Sequence, residues 1–229
     1  MSRVLVIADL HLPAAHPRYL EFIKDIQDEW QTNKTVFIGD VVDHHAISYH
    51  AQELDAENVF HEHAAAKTYI ADWCDEFPKA DVTVGNHDER VARKAKDVGI
   101  PEIMLKPYSE LWGTPRWNWC DSVVIDDVFY THGTGMSGQR IAFNRAQKAM
   151  QSTVCGHTHS VAGVSWLAGP HQTIFGMNVG CGVDPDHVAM RDSGAHLKRP
   201  MLGCGVVIDG TPFFEPMDIG RKYRRKGGR

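Results

Sequence analysis

The chain has 229 residues, of which 43% are hydrophobic and 23% are charged, a composition typical of one ordinary globular domain. This composition excludes a disordered or collagen-like chain. The net charge of −5 argues against a protein that coats nucleic acid non-specifically, because such binding depends on lysine and arginine. No run approaches the roughly 18 consecutive apolar residues of a membrane-spanning helix, so we expect no membrane partner.

The first half of the chain alternates strand-like and helix-like segments. Residues 3–9 and 35–40 are nearly continuous apolar runs, which predict buried strands. Residues 17–32 predict a helix, because apolar side chains recur there at helical spacing: they are Leu20, Ile23, Ile26 and Trp30. Residues 66–77 predict a second helix, and residues 81–85 predict a third strand. This alternation favours a parallel sheet with helices on both faces.

The second half is richer in glycine and in strand-like segments. Residues 122–133 predict a hairpin that turns at Asp126 and Asp127, and residues 137–149 predict a helix. Three further strands are predicted, at residues 152–156, 173–179 and 205–208. The predicted fold class is therefore α/β, an α+β sandwich in which two mixed sheets pack face to face with helices on the outside.

The domain organisation and the compartment follow from the chain ends and the cysteines. We expect a single domain over residues 1–220 and a flexible basic tail over residues 221–229, either simply solvated or attracted to a phosphate-rich partner. The five cysteines are odd in number and scattered, without a CxxC pair, which favours reduced thiols in the cytoplasm. The first strand-like run begins almost at Met1, so we expect no signal peptide.

Five short motifs rich in metal-binding side chains stand where predicted strands end. They read DLH at residues 9–11, GDVVD at 39–43, GNHDE at 85–89, HG at 132–133 and GHTH at 156–159. Ligands of open sheets collect at the carboxyl ends of strands, so we expect these motifs to meet. Carboxylate, imidazole and amide groups suit Mn, Fe, Zn or Ni, and the lack of a thiolate disfavours a structural zinc site.

The order and spacing of the motifs resembles the signature of the calcineurin-like metallophosphoesterases, which runs DxH, GDxxD, GNHD or GNHE, an isolated His before Gly, and GHxH. The resemblance spans residues 9–159, about two thirds of the chain. It implies two divalent metal ions, with Mn favoured and Ni, Fe, Zn or Mg as alternatives. One ion would be held by Asp9, His11 and His159. The other would be held by Asn86, His132 and His157, and Asp40 would bridge both.

The resemblance also implies a catalytic role for His87, which would stabilise the phosphoryl group or protonate the leaving oxygen without binding metal. Asp43 or Asp88 would orient it. Asp88, together with Glu89, is equally well explained as the acidic start of the following helix. The implied reaction is hydrolysis by a hydroxide that bridges the two metals, with no covalent phospho-enzyme.

The sequence differs from that of the phosphoprotein phosphatases directly after the second motif. In those enzymes the motif looks like GDxVDRG, and its arginine binds the substrate phosphate. Here His44 and His45 follow Asp43, which disfavours a phosphoprotein substrate. His44 and His45 are candidates to bind substrate phosphate in place of that arginine. Solvent-facing turn histidines are the alternative.

Other conspicuous side chains have plainer interpretations. We expect His61-Glu62-His63 to lie on the surface and Cys155 to be a small buried residue. The tryptophans at 112, 117 and 119 could stack on nucleic-acid bases, but their spacing favours core packing.

The sequence thus predicts a dinuclear metal-dependent phosphoesterase, most readily a phosphodiesterase acting on nucleotides or nucleic-acid ends. A broad-specificity phosphomonoesterase or a nucleoside polyphosphate hydrolase is the alternative within the enzyme class. A metal-bearing interaction scaffold is the alternative from another class, and the presence of His87 argues against it.

Overall fold

Two β-sheets form the framework of a computed structural model, which describes residues 2–48, 58–187, 199–220 and 222–223. In chain order the strands are β1 (Arg3–Ile7), β2 (Lys34–Phe37), β3 (Ala80–Thr83), β4 (Trp117–Cys120), β5 (Val123–Ile125), β6 (Val128–Thr131), β7 (Thr153–Cys155), β8 (Ala162–Ala168), β9 (Thr173–Val179), β10 (Gly203–Ile208) and β11 (Thr211–Pro216). The α-helices are α1 (Tyr19–Trp30), α2 (Val59–Glu76), α3 (Arg90–Asp97), α4 (Tyr108–Trp112) and α5 (Ile141–Ala149). Short 3-10 turns cover His45–Ile47 and Glu102–Met104.

Both sheets are mixed. The first has the order β11-β10-β1-β2-β3-β4, in which β1 to β4 are parallel. At one edge β10 pairs antiparallel with both β1 and β11. The second has the order β5-β6-β7-β9-β8, with β6, β7 and β9 parallel between two antiparallel edge strands. This arrangement confirms the predicted fold class.

The core has two main layers because successive side chains of a strand point to opposite faces. Val4 and Val6 of β1 face the second sheet, where they pack with Tyr130 and Met177. Leu5 and Ile7 face the other way, toward α1 and α2. Burial on both faces explains why residues 3–9 read as a continuous apolar run.

The predicted helices and strands differ from the observed ones mainly at their edges. The buried face of α1 consists of Tyr19, Phe22, Ile23 and Ile26, whereas the predicted Leu20 and Trp30 lie at its margin. Tyr19 is tolerated there because its hydroxyl donates to the carbonyl of Gly203 at 2.6 Å. Strands β8 and β11 were not predicted, because they are sheet edges with mixed exposure and, in β11, two prolines.

Three interpretations of the sequence are confirmed. The hairpin joins β5 to β6, and its turn residues Asp126 and Asp127 have φ of 50° and 62°, as a tight two-residue turn requires. Core packing of the tryptophans is also confirmed for Trp112 and Trp117, which are buried. Cys155 is fully buried, as expected.

The predicted basic tail lies outside the described residues except for two positions. Tyr223 is buried, and its hydroxyl donates to Asp25 on α1 at 2.6 Å. Lys222 lies 2.9 Å from the same carboxylate. The division of the chain at residue 220 stays a prediction. In the described part of the chain, no helix has the length and apolar character needed to cross a bilayer.

Candidate metal centre

The five motifs follow β1, β2, β3, β6 and β7, at the ends where these parallel strands of the two sheets terminate. The structure brings their side chains together. Ligand atoms of Asp9, His11, Asp40 and His159 all lie within 4.8 Å of one another, as do those of Asp40, His132 and His157. The seven predicted ligands thus form one cluster once Asn86 is added, and their role as ligands stays a prediction.

Local backbone strain accompanies this convergence. Asp9, His11, Asp40 and His157 have φ of 30°, 48°, 46° and 65°, a region that non-glycine residues rarely adopt. Such strain clusters at functional sites, where the surrounding structure enforces it. The motif glycines are explained by close approach, because a Cβ at Gly85 would clash with Asp40 and one at Gly156 would clash with Asp9.

In one half of the cluster, the Nε2 atoms of two imidazoles face each other. His11 Nε2 lies 3.1 Å from His159 Nε2 and 3.6 Å from Asp40 Oδ2. The Nδ1 of His11 is 2.8 Å from Asp43 Oδ1, so this nitrogen carries the hydrogen and donates it. In neutral His11 the Nε2 lone pair therefore faces the cluster, the usual arrangement for a metal-binding histidine held by a carboxylate.

The other half has the same character around His132. Its Nδ1 donates to the carbonyl of Ile38 at 2.9 Å, which turns Nε2 toward the cluster. That nitrogen lies 3.1 Å from Asn86 Oδ1, 3.1 Å from His157 Nδ1 and 3.2 Å from Asp40 Oδ2. One hydrogen cannot serve three such neighbours, whereas a cation satisfies converging oxygen and nitrogen lone pairs. The donor set therefore fits divalent metal ions, and Asp40 touches both halves.

Burial and mutual charge shift the pKa values of the clustered groups. Burial, aided by the charge of Asp40, raises the pKa of Asp9 to about 8. Burial alone would lower the pKa of His132, but the charge and hydrogen bond of Asp40 raise it to about 10. Burial also opposes ionisation of Asp40, yet His132 holds its pKa well below the usual range. Burial and the neighbouring His11 lower the pKa of His159 to about 3.

We expect the metal-free protein to lose stability as the pH rises from 6.5 to 8. Over this window the folded state keeps protons on Asp9 and His132, with pKa values of about 8 and 10, that the unfolded chain has largely released. Histidines with lowered pKa values, such as His159, have the opposite effect, which acts mainly below pH 6.5 and is nearly complete at the start of this window. Metal binding needs deprotonated ligands, so Mn should stabilise the protein more at pH 8 than at pH 6.5.

Thermal unfolding of chelator-treated and Mn-loaded protein at both pH values measures this dependence. A melting temperature of the metal-free protein that increases from pH 6.5 to 8 would contradict the assigned charge states.

His87 stands at the edge of the cluster and is fixed by Asp43. The His87 Nδ1 lies 2.8 Å from the main-chain carbonyl oxygen of Asp43 and 2.9 Å from its Oδ1. The His87 amide donates to Asp40 Oδ1 at 2.7 Å. The His87 side chain is 20% exposed, against 1% for His11 and His132, so it borders the opening of the site. Of the two carboxylates predicted to orient His87, Asp43 is the one in contact with its ring.

Asp88 performs a different task. Its Oδ1 accepts from the amide of Val42 at 3.2 Å, and its Oδ2 accepts from the amide of Gly85 at 2.9 Å. The buried carboxylate thus ties the second motif to the third. Helix α3 begins after it, and Glu89 at the N-cap position makes no side-chain cap. These contacts favour a positioning role for Asp88.

The turn with His44 and His45 is held by the carboxylate of Glu62, which the sequence predicted to lie on the surface. Glu62 is buried and accepts from the amides of His45 and Ala46, so the surface expectation is wrong for this residue. The sequence did contain a signal of burial, because the spacing of Glu62 to Ala66 and Ile70 places all three on one face of a helix. His44 donates through Nδ1 to the carbonyl of His87 at 2.9 Å. The role of His44 and His45 in substrate binding stays a prediction.

Arg90 is a site residue that the sequence analysis missed. Its Nη1 donates to the carbonyls of Asp43 and His44 at 2.9 and 3.0 Å, and its Nη2 lies 3.0 Å from His87 Nε2. The available signal was its place one helical turn after His87, at the start of the basic helix α3.

Comparisons with known proteins identify the family of the chain. Residues 2–174 match the family model of the calcineurin-like phosphoesterases. No curated protein is similar in sequence. A similar solved structure is that of Yfce, a phosphoesterase from E. coli, at 16% identity, TM-score 0.46 and coverage of 90% of this chain and 88% of that chain. Chaetomium thermophilum Vps29 is similar at 11% identity, TM-score 0.49 and coverage of 91% and 85%. Pseudomonas putida nuclease MPE is similar at 13% identity, TM-score 0.40 and coverage of 93% and 87%. The family model spans about three quarters of the sequence, so the chain belongs to the calcineurin-like phosphoesterase family.

Proposed function

We propose that the protein is a dinuclear metal-dependent phosphoesterase that prefers phosphodiesters of nucleotides or nucleic-acid ends. Family membership supports a metal-dependent phosphoester hydrolase. The observation that carries the dinuclear proposal is the position of Asp40, whose Oδ2 lies 3.6 Å from His11 Nε2 and 3.2 Å from His132 Nε2. One carboxylate therefore faces both halves of the cluster.

The residues present fit two divalent ions, of which we favour Mn. Asp9, His11 and His159 would hold one ion, Asn86, His132 and His157 the other, and Asp40 both. Bound ions of this kind neutralise charge on a phosphate and lower the pKa of water. The described protein groups supply no thiolate in this cluster, which accords with hard or borderline metals.

His87 is the group that we propose to move a proton. Burial lowers its pKa, but the hydrogen bond and charge of Asp43, together with Asp40, raise the pKa above its ordinary value. Because Nδ1 is fixed against Asp43, Nε2 is the nitrogen that can give a proton to a leaving oxygen. The Asp43 carboxylate stabilises the positive imidazolium and holds the plane of its ring.

Two features support a phosphodiester substrate. His44 and His45 follow the second motif at the positions where the phosphoprotein phosphatases have Arg and Gly after the same Asp. Helix α3, which starts directly after the third motif, has four basic residues in its eight. Positive charge beside the site would attract the phosphates of a nucleic acid. We also propose a cytoplasmic location, which the five free thiols support.

A paired assay tests the function. Bis-p-nitrophenyl phosphate and p-nitrophenyl phosphate are offered to metal-stripped protein and then to the same protein with Mn, Ni, Zn or Mg. We expect diester turnover that Mn restores. A preference for the monoester would replace the diesterase proposal with the phosphomonoesterase alternative. No turnover of either ester by protein with two bound ions would refute the enzyme proposal and favour a scaffold.

A further inference from the structure

We propose that Arg90 binds the substrate phosphate and replaces the arginine that is absent after Asp43. The inference rests on the proposed phosphoesterase function and names a binding residue for it. Its basis is the position of the Arg90 guanidinium, which the fold holds at the open edge of the site.

The guanidinium is held in place by main-chain oxygens. Nη1 donates to the carbonyl of Asp43 at 2.9 Å and to the carbonyl of His44 at 3.0 Å. These are the last residue of the second motif and the residue that follows it. Arg90 therefore places its charge, from α3, beside the loop that carries the arginine of the DRG sequence in the phosphoprotein phosphatases. The group is preorganised, because two fixed acceptors restrain its long side chain.

The positive charge of Arg90 has no carboxylate partner at salt-bridge distance among the described residues. Its contacts are two neutral carbonyls and one imidazole nitrogen. A guanidinium has five N–H donors, and these contacts engage three of them. Two donors and a full charge remain beside the cluster, which is what a phosphate oxygen requires.

Arg90 and His87 also converge on one point. Nη2 lies 3.0 Å from His87 Nε2, the nitrogen proposed to give a proton. The donors of Arg90 that remain free therefore lie beside the atom proposed to face the leaving oxygen, so a phosphate bound by Arg90 would lie next to His87.

The neighbouring histidines are less suited to this task. The Nδ1 of His44 already donates to the carbonyl of His87 at 2.9 Å, and the His44 ring lies 5.7 Å from that of Trp112. The His45 ring faces a carboxylate, with its Nδ1 4.0 Å from Asp43 Oδ2. Between these candidates, Arg90 is the one with a permanent charge and free donors at the site.

The test measures binding of inorganic phosphate to Mn-loaded protein by titration calorimetry. We expect Arg90→Gln to weaken phosphate binding about tenfold or more, the usual worth of charge-assisted hydrogen bonds. Arg90→Lys should give an intermediate loss, because lysine keeps the charge but not the fork of donors. The matched control Arg116→Gln removes one exposed arginine charge directly before β4, at the amino ends of the parallel strands, and should change phosphate affinity by less than about twofold.

Metal content and melting temperature are measured for each variant, and Arg90→Lys serves if Arg90→Gln does not fold. With bis-p-nitrophenyl phosphate, Arg90→Gln should raise KM as well as lower kcat. Unchanged phosphate affinity with a lower kcat would overturn the inference, because Arg90 would then act only through His87. If the wild-type protein hydrolyses no ester but Arg90→Gln still loses phosphate affinity, the proposed function fails while the Arg90 assignment stands.

Discussion

Replacing His87 by alanine is expected to lower kcat for ester hydrolysis by about 10²- to 10⁴-fold, the usual contribution of a positioned acid or base. Both metal ions should stay bound, because His87 is in neither of the two groups of proposed ligands around Asp40 and the His11 ring that it contacts is held independently by Asp43. Steady-state kinetics and elemental analysis of the same preparation measure the two effects.

The exposed His61 offers a matched control, since it is a histidine of α2 away from the cluster. His61→Ala should leave kcat and metal content unchanged. Loss of metal from His87→Ala would show that His87 is a ligand, which would contradict the role assigned to it.

The second large effect is expected from Asp40→Asn, which keeps the shape of the side chain but removes its charge. Asp40 is buried and lies against histidines of both halves, so this change should weaken binding of both ions. Removing groups that merely support ligands costs about 10- to 100-fold in metal affinity, and we expect a loss of at least about 100-fold here. Activity should fall with metal occupancy.

Competition with a metal indicator measures the affinity, and Asp81→Asn is the control. Asp81 bonds Asn118 at the sheet margin, and its change removes the same charge outside the cluster. An Asp40→Asn protein that retains two tightly bound ions would contradict the bridging role.

Much of the site could be predicted from the sequence because its residues stand directly after buried strands. Val4 to Ile7 and the corresponding run before Asp40 are apolar on both faces, which fixes them as central strands. The carboxyl ends of such strands share one edge, so their motifs must approach one another. The edge strands β8 and β11 lack that signal because solvent covers part of their surface.

The missed residues act through tertiary contacts that no short motif records. Glu62 is an acid on the buried face of α2, and only its bonds to the turn at His45 explain why it is there. Arg90 is one of several basic residues in α3, and its separate role depends on two carbonyls from a loop more than forty residues earlier. Charge runs usually indicate a solvated face, so a basic run by itself does not single out one arginine as part of a site.

Anomalous diffraction from crystals of Mn-reconstituted protein tests the central claim most directly. The account predicts two manganese peaks per chain, one among Asp9, His11 and His159 and one among Asn86, His132 and His157, with a carboxylate oxygen of Asp40 in contact with each. A single peak at full occupancy, or two peaks of which Asp40 touches only one, would contradict it.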